Sequence, residues 1–445
     1  METILIILQV VVLLGAIFIG IRLGGIAIGY AGGLGVVVLG LVLGMKPGAI
    51  PWDVILIIAA AIAAISAMQQ AGGLDYMVRV VEKFLRSNPK FINYLAPACG
   101  WLLTILAGTG NAVFSLMPVV VDVAKSQNIK PSVPLSLMVV SSQIGITASP
   151  VSAAVVYMSG VLEPLGWNYP TLIGIWIVTT FVACMLTAFI VSLITPTDLS
   201  KDAVYQERLK AGLVKDAAEV LHAQDKPGAK LSVGIFLLTV LCVVLYATAI
   251  SSNVKLIDPV VVPRDAAIMS FLLTAATLIT WLCKVEPSKI IETSVFKSGM
   301  TACVCVFGVA WLGNTFVAGH ENAIKEVAGE WVKQVPAMLA VAFFFASMLL
   351  YSQAATAKAI VPVIIAALGI SATNPGDSYM LVACFAAVSA LFVLPTYPTL
   401  LGAVQMDDTG TTRIGKYIFN HSFFIPGVLA IAIAVALGFL VAPLV

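Results

Sequence analysis

The sequence predicts an all-α polytopic membrane protein made of two inverted repeats, and three observations carry that prediction. Of its 445 residues, 60% are hydrophobic and only 10% are charged, with a mean hydropathy of +1.05. That is more apolar content than a soluble core absorbs. Runs of about 20 apolar residues, enough for one crossing helix, recur along the chain. Finally, breaks rich in Pro, Gly and small polar residues fall at corresponding places in its two halves.

Full spans are predicted at 3–21, 25–45, 53–71, 132–160, 171–195, 231–250, 266–283, 298–318, 379–404 and 418–443. Nothing basic precedes 3–21 and no small-residue cleavage site follows it, so it reads as the first span and not as a leader. Two apolar runs do not fit one crossing. Residues 92–124 and 336–370 are 33 and 35 residues long and carry "GTGN" and "SQAAT" near their centres. Each is too long for one span and too short for two with a turn, so each is predicted to be a re-entrant hairpin. Irregular backbone at membrane depth is tolerated only where it is buried in protein or lines a wet cavity.

Lys and Arg positions set the orientation. With the N-terminus outside, 18 of them fall in inner segments, including Arg79, Lys83, Lys125, Lys130, Lys201, Lys215 and Arg413. Only five, Lys46, Lys255, Arg264, Lys325 and Lys333, fall outside. Both termini are therefore expected to be periplasmic, and 197–230 to be a cytoplasmic linker.

That linker divides the chain into 1–196 and 231–445. Each part contributes three spans, a hairpin, a span broken by Pro, and a last span. Pro118 and Pro362 lie 244 apart, as do Pro131 and Pro375; Pro150 in "TASPVS" and Pro398 in "LPTYPT" lie 248 apart. Five crossings per part is an odd number, so the second part is inverted relative to the first. Inverted repeats with discontinuous helices are the mark of secondary transporters, with substrate held at the repeat interface.

The run "GTGN" with "SSQIGITASPVSAAVVYMSG" at 141–160, and "GIRLGGIAIGYAGGLGV" with "ISAMQQAGGLDY" near the N-terminus, resemble the anaerobic four-carbon dicarboxylate transporters, the Dcu family. The resemblance covers nearly the whole chain and is densest in its first 160 residues. It implies exchange of fumarate, malate or aspartate against succinate across a bacterial inner membrane during anaerobic respiration. More distantly, the layout is similar to the sodium-coupled symporters of the ion transporter superfamily, whose hairpin tips carry Ser-Asn-Thr triplets. Those triplets are absent here. The superfamily likeness implies an elevator-like motion of a hairpin-bearing unit against a scaffold of the other spans.

The chemistry of a diacid site can be argued independently. A helix N-terminus offers unpaired N–H groups and about half a positive charge, which suits a carboxylate. Half-helices are expected to begin after Asn111, Pro150, Ala355 and Pro398, two for each carboxylate. Side-chain donors stand beside them: Thr109, Asn111, Thr147, Ser149, Ser152, Gln353, Thr356, Thr396, Tyr397 and Thr399. The competing reading of each hydroxyl is satisfaction of its own helix backbone. Gly110 is assigned the tip turn, which needs positive φ or close backbone approach. Lys358 lies 12 residues inside its hairpin, about 18 Å deep at 1.5 Å per residue. A charge there costs about 2.5–3.5 kcal/mol, and no acidic residue within the membrane is an obvious partner. Anion binding and contact with carbonyl groups both remain open for it.

Other features are set aside. "GTTRIGK" at 410–416 has Tyr417 where a P-loop needs Ser or Thr. His222, His320 and His421 have no metal-ligand spacing, and the seven cysteines read as packing residues. Gly20, Gly24, Gly25, Gly29 and Gly33 are spaced for close helix packing. No cofactor or metal is expected. The expected partners are small dicarboxylate anions and membrane lipid, with a homodimer as an open assembly and no nucleic acid. The alternatives are a sodium-coupled di- or tricarboxylate symporter and, in another class, a membrane-embedded sensor or enzyme. An enzyme needs a nucleophile with a base, or a metal set, at membrane depth, and the sequence offers none.

Overall fold

The structure, a computed structural model, describes residues 2–23, 26–214, 226–251, 254–323, 334–417 and 419–445. Gly24, Gly25, Lys215, His222, Lys325 and Lys333 lie outside the described residues. The described chain is all-helical, with three isolated β-bridges and no strand. Among the described residues, eight helices are long and apolar enough to cross a membrane, and five shorter apolar helices accompany them. The chain is a polytopic membrane protein.

Helices α1 (Glu2–Leu23), α2 (Ala27–Val37, continued by a π-helical turn Val38–Val42) and α3 (Trp52–Gln70) open the chain. The predicted spans 3–21 and 25–45 fall on α1 and α2, whose apolar stretches Ile4–Gly20 and Ala27–Val42 are among the five shorter helices. Next, α4 (Gly73–Ser87) is amphipathic: Leu74 and Leu85 are buried, and Glu82 pairs with Arg86 one turn on at 2.6 Å. Its charges keep it at a membrane surface. The first hairpin comprises α5 (Ile92–Ala107), a 3₁₀ stretch Gly110–Ser115 and α6 (Met117–Ser126). The broken span comprises α7 (Ser132–Gly145) and α8 (Ala153–Leu162), and α9 (Tyr169–Ile194) follows.

After α10 (Ala203–Lys210) the same order returns. Its spans are α11 (Ala229–Ala249), α12 (Arg264–Leu282) and α13, which runs Ser294–Gly319 through a π-helical turn at Val306–Ala310. The second hairpin is α14 (Met338–Leu350) with α15 (Gln353–Leu368). The second broken span is α16 (Tyr379–Cys384, extended by 3₁₀ turns Phe385–Phe392) with α17 (Pro398–Met406), and α18 (Phe424–Val441) ends the fold.

The hairpin arms differ from the expected half-crossings. With its preceding 3₁₀ turn, the first arm runs Pro89–Ala107, 19 residues, about 28 Å long. The return arm α6 has 10 residues. Half-helix starts also shift. Helix α8 starts at Ala153, three residues past Pro150, whereas α17 starts on Pro398 itself. The two prolines are therefore not equivalent. A proline at the first helical position lacks an N–H that would be unpaired there anyway; Pro150 instead sits in the turn between α7 and α8, closed by Ser152 N–H on the Ser149 carbonyl at 3.1 Å.

Two groups of helices form. Helices α1–α3 pack with α11–α13; both hairpins, both broken spans, α9 and α18 pack with one another. Close approach inside the first group depends on glycine. A Cβ on Gly29 would lie 2.2 Å from the Val304 carbonyl oxygen, and one on Gly32 would lie 2.3 Å from the Gly308 carbonyl carbon. Small residues let backbones meet this way. The packing face runs through Gly29 and Gly32, however; Gly33, expected on it, faces open space.

On the face predicted to be cytoplasmic, the start of the linker is tied to the hairpin-bearing group. Lys130 pairs with Asp202 at 2.9 Å, and the Arg208 guanidinium donates to the Asp408 carbonyl at 3.3 Å. Hydrogen bonds from Ser200, Lys201 and Asn128 hold the Asp198 carboxyl down to about 2. The stabilisation from that contact is therefore complete above the ordinary carboxylate range and is lost progressively as pH falls from 3.8 through about 2.

Candidate functional site

The two hairpin tips share a two-residue turn, left-handed then extended. Helix α5 ends on Gly108 at φ +69°, and Thr109 follows, extended at φ −145°. Helix α14 ends on Tyr351 at φ +55°, and Ser352 follows, extended at φ −153°. The offset is 243 residues, one less than the prolines suggest. Each extended residue turns its hydroxyl onto the N–H groups ahead. Thr109 accepts from Asn111 N–H at 3.3 Å and Ser352 from Ala355 N–H at 3.2 Å. This is N-capping by a short side-chain oxygen. The left-handed turn expected at Gly110 belongs instead to Gly108, where an added Cβ would also meet Val151 Cγ2 at 2.9 Å. At Gly110 the nearest contact of such a Cβ, Ser142 Oγ at 3.4 Å, is ordinary.

The broken spans supply two more helix starts. Ser152 is extended, accepts from Val155 N–H at 3.2 Å, and donates to the Ile146 carbonyl at 2.7 Å. Tyr397, at φ −68° and ψ 138°, holds the same position before α17.

Both tips and both breaks meet around a cavity of about 60 Å³. Thr109, Asn111, Ser152, Ser352, Gln353 and Tyr397 contribute polar groups to its wall. Ile58 from α3 and Val306 from the π-helical turn of α13 close it on the side of the other helix group. The wall holds no charged side chain among the described residues. It does include Ala153 and Ala154 at the start of α8, and Gln353 and Ala354 at the start of α15. The first intrahelical bonds are those of Val156 N–H and Thr356 N–H, and serine hydroxyls take Val155 N–H and Ala355 N–H. Two N–H groups per helix therefore have no partner within their own helix. Two partial positive charges border one neutral cavity, an arrangement that accepts an anion with a negative group at each end.

Other predicted site residues serve the frame. Thr147 donates to the Ile144 carbonyl at 2.7 Å and Thr356 to the Ser352 carbonyl at 2.7 Å, each satisfying local backbone. Ser149 donates to the Ile105 carbonyl at 2.6 Å, joining the first break to the first hairpin. In the second half the join is made by Tyr351 and Thr396, hydroxyl to hydroxyl. Thr399 is buried and accepts from Gln143 Nε2 at 3.3 Å, while Gln353 Nε2 donates to the Gln143 carbonyl at 3.1 Å. Gln143 thus links the first half to both the hairpin and the break of the second.

Lys358 does not line this cavity. It forms an ion pair with Asp53 at the start of α3 and lies 5.3 Å from the Tyr157 ring centroid. The expectation that no acidic partner is at hand is corrected: Asp53 is 305 residues away in sequence and adjacent in space. A second charged contact also joins the two helix groups. Arg264 at the start of α12 pairs with Glu163 at 2.7 Å and donates to Ser159 at 2.8 Å.

Sequence reasoning passed over Gln143, Tyr351 and Ser352. Ser352 had a readable signal, a serine directly before an apolar helical run. Tyr351 had none, since a left-handed tyrosine is uncommon.

A sequence profile of the family described as anaerobic C4-dicarboxylate membrane transporter matches residues 5–445. The chain is 62% identical over 440 residues to C4-dicarboxylate transporter DcuA of Wolinella succinogenes, covering 99% of this chain and 100% of the relative. It is 53% identical over 435 residues to C4-dicarboxylate transporter DcuA of Escherichia coli, covering 98% of each. With anaerobic C4-dicarboxylate transporter DcuB of Escherichia coli it shares 36% identity over 449 aligned positions, again covering 98% of each.

Proposed function

The chain belongs to the family of anaerobic C4-dicarboxylate membrane transporters, and from that premise we propose that it exchanges fumarate, malate or aspartate against succinate across the bacterial inner membrane. It is a transporter and not an enzyme. One carboxylate is held at the start of α8 by the N–H groups of Ala153 and Ala154, the other at the start of α15 by those of Gln353 and Ala354. Thr109, Asn111, Ser152, Gln353 and Tyr397 complete the contacts; Gly110, Thr147, Ser149, Pro150, Thr356, Thr396, Pro398 and Thr399 hold the helix starts in place. The observation that carries this reading is the convergence of both tips and both breaks on one cavity without charged side chains.

The two parts of the chain act as inverted repeats, with both termini periplasmic. The hairpin-bearing group moves past the group formed by α1–α3 and α11–α13, in an elevator-like step. In this topology the Lys358–Asp53 and Arg264–Glu163 contacts lie on the periplasmic side and span the boundary between the groups. They must part or rearrange as the groups slide. Lys358 acts on that step and not in the cavity.

Separating such pairs costs free energy, which favourable contacts to a bound dianion offset and an empty cavity does not. Slow return of the empty carrier makes the protein an exchanger. Vesicles reconstituted with purified protein and loaded with succinate should take up labelled fumarate without a sodium gradient, and vesicles empty inside should take up little. Sodium-dependent uptake into empty vesicles would overturn the exchange mode.

A further inference from the structure

A second, larger cavity of about 370 Å³ lies between the start of α7, the end of α9 and the start of α18. No residue of it belongs to the substrate cavity. One wall is polar and carries two cations and one carboxylate, Lys130, Arg413 and Asp202, with Ser132, Ser136 and Asn420 beside them. Lys130 is engaged with Asp202 at 2.9 Å. Arg413 is exposed, its guanidinium has no acidic partner among the described residues, and its backbone N–H donates to Ser422 Oγ at 3.1 Å, which anchors the residue at the rim.

The other wall is apolar and opens sideways, with Ile194 61% exposed and Ile425 57% exposed. In a membrane protein, apolar side chains so exposed at helix ends face acyl chains. Between the walls sits His421, only 8% exposed. Its Nε2 lies 3.2 Å from the Val393 carbonyl, while Nδ1 has no hydrogen-bond partner among the described residues. With Nε2–H donating to that carbonyl, Nδ1 is an acceptor awaiting a donor, and a buried orphan acceptor costs about 1–3 kcal/mol.

We propose that this cavity seats one anionic phospholipid with a hydroxyl-bearing headgroup, its phosphate on Arg413 and Lys130, its headgroup hydroxyl donating to His421 Nδ1, and its chains along Ile194 and Ile425. The lining has one component for each part of such a lipid: a free guanidinium suited to bidentate phosphate binding, a buried acceptor and an exposed apolar flank. A soluble anion uses only the first. The placement rests on the topology proposed above, which puts this end of the bundle in the cytoplasmic leaflet, where basic pockets between helices take anionic headgroups.

The test uses the full-length protein in detergent, with lipid retention read by native mass spectrometry and unfolding temperature read alongside. Sidedness does not enter such a measurement, so it can fail while the topology stands. Phosphatidylglycerol should be retained about fivefold more tightly than phosphatidylcholine, the difference that one uncompensated cation, Arg413, supplies, and should raise the unfolding temperature. Arg413→Gln should bring it within about twofold of phosphatidylcholine. Lys416→Gln, on the same loop but off the cavity wall, should leave retention unchanged. Equal retention of the two lipids, or equal loss in both variants, would overturn the proposal. So would glycerol phosphate protecting as well as the lipid does, since the acyl chains would then contribute nothing.

Discussion

The first hairpin tip turns on a glycine and the second on a tyrosine, yet both pass from a left-handed to an extended residue. Gly108 takes φ +69° without steric cost; Tyr351 takes φ +55°, a region that costs most L-residues about 1–2 kcal/mol. The second tip offsets that cost with contacts the first lacks. Tyr351 is 4% exposed, its hydroxyl meets Thr396, and its ring lies 6.1 Å from that of Tyr397. The difference teaches that one turn geometry can be reached with different side chains. If the site consists of helix starts presenting N–H groups, each half is free to reach the same turn with different side chains.

The largest effect should come from removing the freedom of the first tip. Gly108→Val adds a left-handed β-branched residue and drives its side chain against Val151, whose Cγ2 lies 2.9 Å and carbonyl oxygen 3.2 Å from the new Cβ. Uptake should be abolished and the unfolding temperature should fall. Wild-type uptake would show that this turn is dispensable.

A smaller effect separates the caps. Ser352 caps a helix of 16 residues, whereas Thr109 caps a 3₁₀ stretch of six. Losing such a cap costs about 1 kcal/mol. Ser352→Ala should therefore weaken succinate binding by about fivefold, and Thr109→Ala by less; the reverse order in a binding titration would mean that the tips do not share the load as described.

The smallest effect on affinity is expected at Lys358. Off the cavity wall and paired with Asp53 across the two helix groups, it should leave affinity within about twofold when replaced by Ala. Net uptake should rise relative to exchange, because the contact restraining the empty carrier is gone. A strong loss of affinity in Lys358→Ala, measured by calorimetry, would return this residue to the substrate.

Much of the architecture was legible in the sequence because hydropathy and proline spacing are local signals. The order of spans, hairpins and breaks could be read from apolar runs and from Pro118, Pro131, Pro362 and Pro375. The register of the tips could not. The 244-residue proline offset pairs Thr109 with Gln353 and so misses Ser352 by one residue, because the second tip turns on Tyr351, a residue type that carries no turn signal. Hydroxyl roles were also hidden: Thr147 and Ser152 lie five residues apart, and only packing decides that the first satisfies its own turn while the second borders the cavity. Lys358 and Asp53 illustrate the same limit, since a partner 305 residues away is set by tertiary contact alone.

The central claim is that a dianion is held by helix starts at a wall without charged side chains, and Ala354 tests it most directly. Ala354 is the second residue of α15 and lies on the cavity wall. An acidic residue in the first turn favours the helix itself, so Ala354→Asp should fold, while its carboxylate takes up the field meant for the substrate. Ala354→Asn has nearly the same shape without the charge. Succinate binding to the purified proteins, titrated calorimetrically, should survive in Ala354→Asn, weakened by the added volume, and vanish in Ala354→Asp. Equal affinities for the two variants would contradict the account.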